Sequence, residues 1–361
     1  MVLDLTLAKA PLPTFAGNEL ARTLMEIVAE GKVDYLLKGH RYAGTVEDRK
    51  AGAKWLAPRF ESELSDDRVI VTNGTKSAVL SLLSHLLSAG DLVATEELSS
   101  LGIWSIPEIL GLRHVGLECD PQGIVPAAFQ EQCEREAPKV LFTVPTLNNP
   151  TTQTMSEQRR REIAEIARGF GVTVVEDDIC GRFKSEGPFA IASLAPDITW
   201  LASGLAKCVG SGVRTGYIVA PSAEDAQRFV SRFRALSSWH PAPLMAEVAT
   251  RWINGGAAER IFAAVRAELA LRQECAARVF VDDDIRSDPA SLFVWLPLSD
   301  PRGDDAVVEA IRQKHVVTRS VGIYAVQPNS APRALRICVG SPETVGQLEE
   351  ALTIVRESIR A

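Results

Sequence analysis

Between residues 68 and 220 the chain alternates short apolar runs with stretches whose apolar residues recur every three or four positions. The runs are RVIVT (68–72), DLVAT (91–95), HVGLE (114–118), KVLFTV (139–144), VTVVED (172–177), ITWLAS (198–203) and TGYIVA (215–220). Most lack the polar alternation of a half-exposed strand, so they predict strands covered on both faces. Helical stretches lie between them. Val79, Leu80, Leu82, Leu83, Leu86 and Leu87 share one side before Gly90, and a second helix opens at Ser156 with Ile163, Ile166 and Ala167 on one face. This order predicts an α/β fold: a mainly parallel sheet flanked by helices, with functional groups at the carboxyl ends of its strands.

After about residue 222 the pattern changes to helices, AEVATRWI and then AAERIFAAVRAELALRQECAARVF. A smaller C-terminal α/β unit follows, with strands SLFVWLPL, HVVTRS and ALRICVG around the helix DAVVEAIRQK. A last helix is expected to start at Ser341 as N-cap, with Pro342 in its first turn. The expected division is an N-terminal arm and helix over 1–44, a large domain over 45–250 and a small domain over 251–361.

The net charge of −7, with no basic run, argues against a nucleic-acid partner. No apolar run reaches the length of a membrane span, and the N-terminus has no signal core. The six cysteines form no Cys-x-x-Cys pair and have no histidine cluster beside them, which predicts reduced thiols in a cytoplasmic protein and no metal site.

Five segments carry groups suited to chemistry. NGTKSA (73–78) places Gly74, Thr75 and Lys76 between a strand and a helix, where amide groups face an anion or simply cap the helix. TLNNPTTQTMS (146–156) puts Asn149 in a turn after a strand. VVEDDICGR (174–182) ends a strand in three carboxylates that would hold a metal, solvate a loop or pair with a buried cation. LASGLAKCVGSGVRTGY (201–217) holds Lys207 and Arg214 in an apolar, glycine-rich loop, where burial would favour a neutral amine. Arg336 interrupts the apolar strand ALRICVG and needs an anionic partner.

The ordered set resembles the fold-type I aminotransferases, which use pyridoxal 5'-phosphate (PLP). The blocks VTNGTKSAV, TVPTLNNPTTQTMS, VVEDD, LAKCVGSGVRTGY, SSWHPAP and LRICVG are most similar to the kynurenine and 2-aminoadipate aminotransferases and to the aminotransferase-like domain of MocR-type regulators. The resemblance runs from about Tyr42 to the C-terminus. It implies that Lys207 holds PLP as a Schiff base and moves protons, and that Asp178, rather than Asp177, pairs with the pyridine nitrogen. It implies Asn149 on the ring oxygen, Thr75, Lys76 and Arg214 on the phosphate, and Gly74 and Ser203 among the other cofactor-binding residues. Arg336 would clamp the carboxylate of an amino-acid-like substrate. Tyr42 and SSWHPAP (237–243) would reach the phosphate of a partner subunit in a homodimer. Tyr35, His40, Trp104, Trp239, His240 and Tyr324 are candidates for the substrate pocket.

Some positions depart from the family pattern. Gly204 and Ala206 stand where hydroxyls precede the lysine, Ser100 where an aromatic ring stacks on the cofactor, and Gly181 where a tyrosine follows the aspartate. The resemblance implies transamination, with another Cα-carbanion reaction (elimination or replacement, racemisation, decarboxylation) as the alternative. A non-enzymatic effector domain is a third expectation, disfavoured because the resemblance begins too near Met1 to leave room for a winged helix-turn-helix.

Overall fold

The structure is a computed structural model that describes residues 2–184, 186–236, 240–300, 302–327 and 331–360, with the backbone alone for 101–104. A short strand β1 (Leu3–Asp4) leads into helices α1 (Phe15–Ala29), α2 (Val33–Lys38) and α3 (Val46–Leu56). The apolar runs then form β2 (Val69–Thr72), β3 (Leu92–Glu96), β4 (Arg113–Leu117), β5 (Val140–Thr143), β6 (Thr173–Asp177), β7 (Thr199–Gly204) and β8 (Gly216–Val219). They build one sheet in the order β2-β8-β7-β6-β5-β3-β4. The β3–β4, β3–β5, β5–β6 and β6–β7 pairs are parallel, but β8 is antiparallel to both β7 and β2. The link over 205–215 contains no helix, whereas parallel neighbours need a crossover of about a dozen residues or more. This fold-type I α/β architecture agrees with the expected one, with β8 as its single reversed strand.

Helices α4 (Thr75–Leu86), α5 (Leu101–Ile109), α6 (Pro126–Glu136), α7 (Glu157–Gly169), α8 (Ile191–Leu194) and α9 (Ala223–Phe233) cover the sheet. One face packs Ile70, Phe142, Val175 and Ala202 against Val79 and Leu82 of α4 and Phe229 of α9. The other packs Leu141 and Val174 against Phe129 of α6 and Ile163 and Ala167 of α7. Side chains alternate along a strand, so along β6 the residues with odd numbers face α4 and those with even numbers face α7.

Helices α10 (Pro243–Asn254) and α11 (Ala257–Val279) meet at Gly255 and Gly256, the latter at φ +78° where a side chain is strained. Beyond them lie β9 (Arg286–Ser287), β10 (Phe293–Pro297), α12 (Asp304–Gln313), β11 (Val316–Val317), β12 (Arg319–Ser320), β13 (Ala334–Cys338) and α13 (Val345–Arg360). An antiparallel sheet runs β9-β10-β13-β12. The N-terminal strand β1 pairs in parallel with β11, and Leu5 accepts the Cys338 amide, so the first residues are tied to the C-terminal unit.

The last helix does not start at Ser341. It starts at Val345, and the Thr344 hydroxyl accepts the Gln347 amide at 3.2 Å. Buried Arg272 explains the delay: it donates to the carbonyls of Val339 (2.9 Å), Pro342 (2.7 Å) and Glu343 (3.2 Å), which keeps this stretch out of the helix. Among the described residues no helix is long and apolar enough to cross a membrane.

Candidate active site

The start of α4 forms an anion cradle. Gly74 adopts φ 85° and ψ 165°, which a side chain would strain, and no side chain caps the helix, so its first-turn amides face outward. The Thr75 hydroxyl is buried and has no hydrogen-bond partner among the described residues. Two glycines at the strand ends keep this corner open. A Cβ on Gly204 would lie 2.9 Å from Thr75 Oγ1, and one on Gly216 would lie 2.7 Å from the Gly74 carbonyl carbon. Lys76 is exposed beside the cradle. Arg214 is exposed as well, and its guanidinium has no ion-pair or hydrogen-bond partner among the described residues.

Lys207 follows the end of β7 and extends its amine to the Ala8 carbonyl. Burial lowers its pKa, nearby Cys180 and Cys338 oppose that effect, and Arg336 and Lys76 add to it. The net effect is a pKa below that of a free lysine, which makes the neutral, nucleophilic form easier to reach. Arg336, at the centre of β13, is 4% exposed. Its guanidinium carbon lies 4.9 Å from the Phe293 ring centroid and 5.0 Å from that of Tyr324. It donates to Asn149 Oδ1 at 3.1 Å and to the Thr6 carbonyl, while its Nε is buried without a partner among the described residues. The fold therefore brings Lys207, Arg336 and Asn149 together, although they lie far apart in sequence.

The two aspartates turn to opposite faces of the sheet. Asp178 has an even number and turns to the α7 side, where Arg59 grips both its oxygens at 2.8 and 3.0 Å. Asp177 turns to the α4 side, the side of the cradle, and the Ile179 amide donates to its Oδ1 at 3.1 Å. Burial pushes its pKa up to about 7; the Ile179 amide opposes this, Asp178 adds to it, and Lys207 opposes it. Counting from Asp177, the third residue on is Cys180, whose thiol burial pushes up to about 12, and not Gly181. Gly181 lies against Asp178 instead, where a Cβ would fall 2.0 Å from the carboxylate. Ser203 is also occupied elsewhere: its buried hydroxyl donates to the Asp178 carbonyl at 3.1 Å.

Residues 18–352 match the model of the family described as aminotransferase class I and II. The chain belongs to that family. Among its relatives, the HTH-type transcriptional regulator YdeF of Bacillus subtilis is 25% identical over 348 residues, spanning 96% of this chain and 75% of the regulator. The mitochondrial kynurenine/alpha-aminoadipate aminotransferase of Rattus norvegicus is 27% identical over 204 residues, 52% of this chain and 48% of that enzyme. The chain thus spans about half the length of several curated relatives that it matches. An archaeal alanine:glyoxylate aminotransferase superposes with a TM-score of 0.89 at 21% identity, covering 100% of this chain and 91% of the other. Pyrococcus horikoshii kynurenine aminotransferase, solved with PMP, gives 0.87 at 20% identity, covering 99% and 91%. PLP is the cofactor of this aminotransferase family, and the half-buried amine, open hydroxyl and glycine-lined corner fit it.

The remaining expected residues of the aminotransferase are spread between the site and the surface. Tyr42 is 39% exposed, with its ring 5.3 Å from His40 and 4.9 Å from His240, and the Arg234 guanidinium stands 5.1 Å from its centroid. Ser100 precedes α5 as its N-cap residue without a side-chain cap bond. Tyr324 lies within the site, flanking Arg336. Tyr35 is exposed on α2. The Trp104 side chain and residues 237–239, which include Trp239, lie outside what the structure describes.

Proposed function

We propose that this aminotransferase moves the amino group of an α-amino acid to a 2-oxo acid, with Lys207 as the catalytic lysine. The observation that carries this reading is a half-buried amine, its pKa lowered by burial, set between an anion cradle and an arginine that lies against Asn149. When bound, PLP supplies an electron sink for the Cα–H electrons and stores the amino group between half-reactions. Lys207 would take the Cα proton and return it at the neighbouring cofactor carbon. Asp177, and not Asp178, would face the pyridine nitrogen. Asn149 would donate to the ring oxygen while its carbonyl oxygen steadies Arg336. Gly74, Thr75 and Lys76 would hold the phosphate, with Arg214 turning in from its exposed position. The six free cysteines support a reducing compartment, the cytosol.

The test is a product analysis. Holoenzyme given one amino acid should release about one equivalent of 2-oxo acid per site and stop until a 2-oxo acid acceptor is added. One feature favours the alternative: where the family pattern has an aromatic ring and a tyrosine, this chain has Ser100 and Cys180, so the ring is less tightly fixed. Release of carbon dioxide, the opposite enantiomer or an eliminated side-chain group would assign another Cα reaction. Binding of cofactor and amino acid without any product would favour an effector role, as the alignment with the regulator over 96% of the chain allows.

Arg336 would clamp the substrate α-carboxylate. A guanidinium meets a carboxylate with two parallel N–H bonds and an ammonium does not. Arg336→Lys is therefore expected to raise the amino-acid KM by about tenfold to a hundredfold, the worth of a charged hydrogen bond. Cofactor affinity should change far less. Equal losses in both would make Arg336 a purely structural residue.

The enzyme would work as a homodimer. Exposed Met25, Val28, Tyr35 and Leu37 on α1 and α2 give the N-terminal helices an apolar outer surface close in sequence to Tyr42. Tyr42→Phe should weaken cofactor binding about tenfold or more without unfolding the chain, as expected for losing one hydrogen bond to a dianion. A fully active, monodisperse monomer in sedimentation would defeat this.

A further inference from the structure

A buried set of four charges lies behind β6. Arg59, Arg160, Glu176 and Asp178 are each at most 1% exposed. Arg59 holds Asp178 through Nε at 2.8 Å and a terminal nitrogen at 3.0 Å, and that nitrogen also reaches the Thr146 hydroxyl at 3.2 Å. Arg160 donates to the same hydroxyl at 2.8 Å and lies 3.5 Å from Glu176, whose second oxygen accepts the Ala192 amide at 2.9 Å. The two cations offset the two anions, and one hydroxyl joins the pairs. Stability alone explains such a group poorly, because apolar replacements of a buried ion pair are often neutral or stabilising.

Its two ends explain it better. Asp178 is the residue after Asp177, and Thr146 lies three residues before Asn149. The set thus anchors, from behind, both side chains that face the cofactor ring. One member of the set, Asp178, is also among the charged neighbours of Asp177, with Lys207 and Glu96.

We propose that Arg59, acting through Asp178, keeps Asp177 ionised and aimed at the ring nitrogen, so that Arg59 and Asp178 are positioning residues. This rests on the reading that Asp177 faces that nitrogen. A bare Asp178 anion stands one residue from Asp177, with the ring beyond Asp177 on the opposite face. Its repulsion of the Asp177 charge therefore outweighs its attraction for the ring cation. The proton would move from the nitrogen to Asp177. A bare Arg59 cation has the opposite effect, and removing both charges has neither. A purely structural role would not reverse sign in this way.

The test follows bound, nitrogen-15-labelled PLP through a pH titration by NMR. Arg59→Met should lower the population of nitrogen-bound proton on the plateau below the titration midpoint, a change of about tenfold in its partition with Asp177. Asp178→Asn should raise it by a similar amount, and the double variant should return it to the wild-type value. If Arg59→Met does not fold, the contrast between Asp178→Asn and the double variant decides. Identical titrations in all variants, or singles shifted in the same direction, would overturn the proposal. A wild-type protein with no bound, protonated signal would instead overturn the assignment of Asp177 itself.

Discussion

Lys207→Ala is expected to reduce turnover by about a thousandfold or more, since it removes both the nucleophile and the proton carrier at one position. The fold should survive. Burial disfavours the charged form of the amine, and its one hydrogen bond among the described residues is to the Ala8 carbonyl. Losing it leaves one carbonyl to find water, a cost of about 1–3 kcal/mol set against relief of the buried charge. Borohydride treatment followed by mass spectrometry checks the chemistry: the wild type should gain a covalent cofactor on the peptide containing Lys207, and the variant should not. A small primary amine in the buffer should restore part of the turnover, because the cavity left by the side chain stays beside the cradle. Wild-type turnover in Lys207→Ala, or reduction onto another lysine, would remove the central assignment.

Much of this site was legible in the sequence because chemistry and turn structure coincide there. Gly74 needs a conformation that a side chain strains, Asn149 sits in an Asn-Pro turn, and Lys207 and Arg336 are charges in apolar surroundings, so each stands out without a structure. The register along β6 did not stand out. Glu176, Asp177 and Asp178 are alike in composition, and alternation shows only that Asp177 shares a side with Val175. Which side meets α4 depends on contacts with residues about a hundred positions away. The residue that grips Asp178, Arg59, lies 119 residues earlier in a short turn that has no motif. The surroundings of Ser203 are hard to read for a related reason. Its hydroxyl is satisfied by a backbone carbonyl on the neighbouring strand, a bond that local sequence does not announce. The reversal of β8 is compatible with a mainly parallel sheet, since the helix-free link over 205–215 is too short for a parallel crossover.

Asp177→Asn is expected to cost about 2–5 kcal/mol of transition-state stabilisation, roughly 30- to 5000-fold in turnover, the range found when one partner of a buried charge pair is removed. It should also change how the cofactor-free protein responds to pH, and the sign can be worked out. Burial raises the Asp177 pKa from 3.8 unfolded to about 7 folded. Between these values the folded chain holds a proton that the unfolded chain releases. Stability is therefore fully present below about pH 4 and falls as the pH rises toward 7, by up to about 4 kcal/mol for this one group. Glu176, raised to about 7 chiefly by burial, adds a slope of the same sign. In Asp177→Asn the decline should be shallower by the Asp177 share, so the variant gains stability over wild type near neutral pH while losing activity. PLP should remove the same share in the wild type, since a protonated ring nitrogen gives the carboxylate the cation it otherwise lacks. Denaturant titrations of both proteins at several pH values, with and without PLP, measure each slope. If Asp178→Asn, rather than Asp177→Asn, flattened the cofactor-sensitive part, the ring partner would be the residue that Arg59 holds, and the orientation of β6 would have to be reversed.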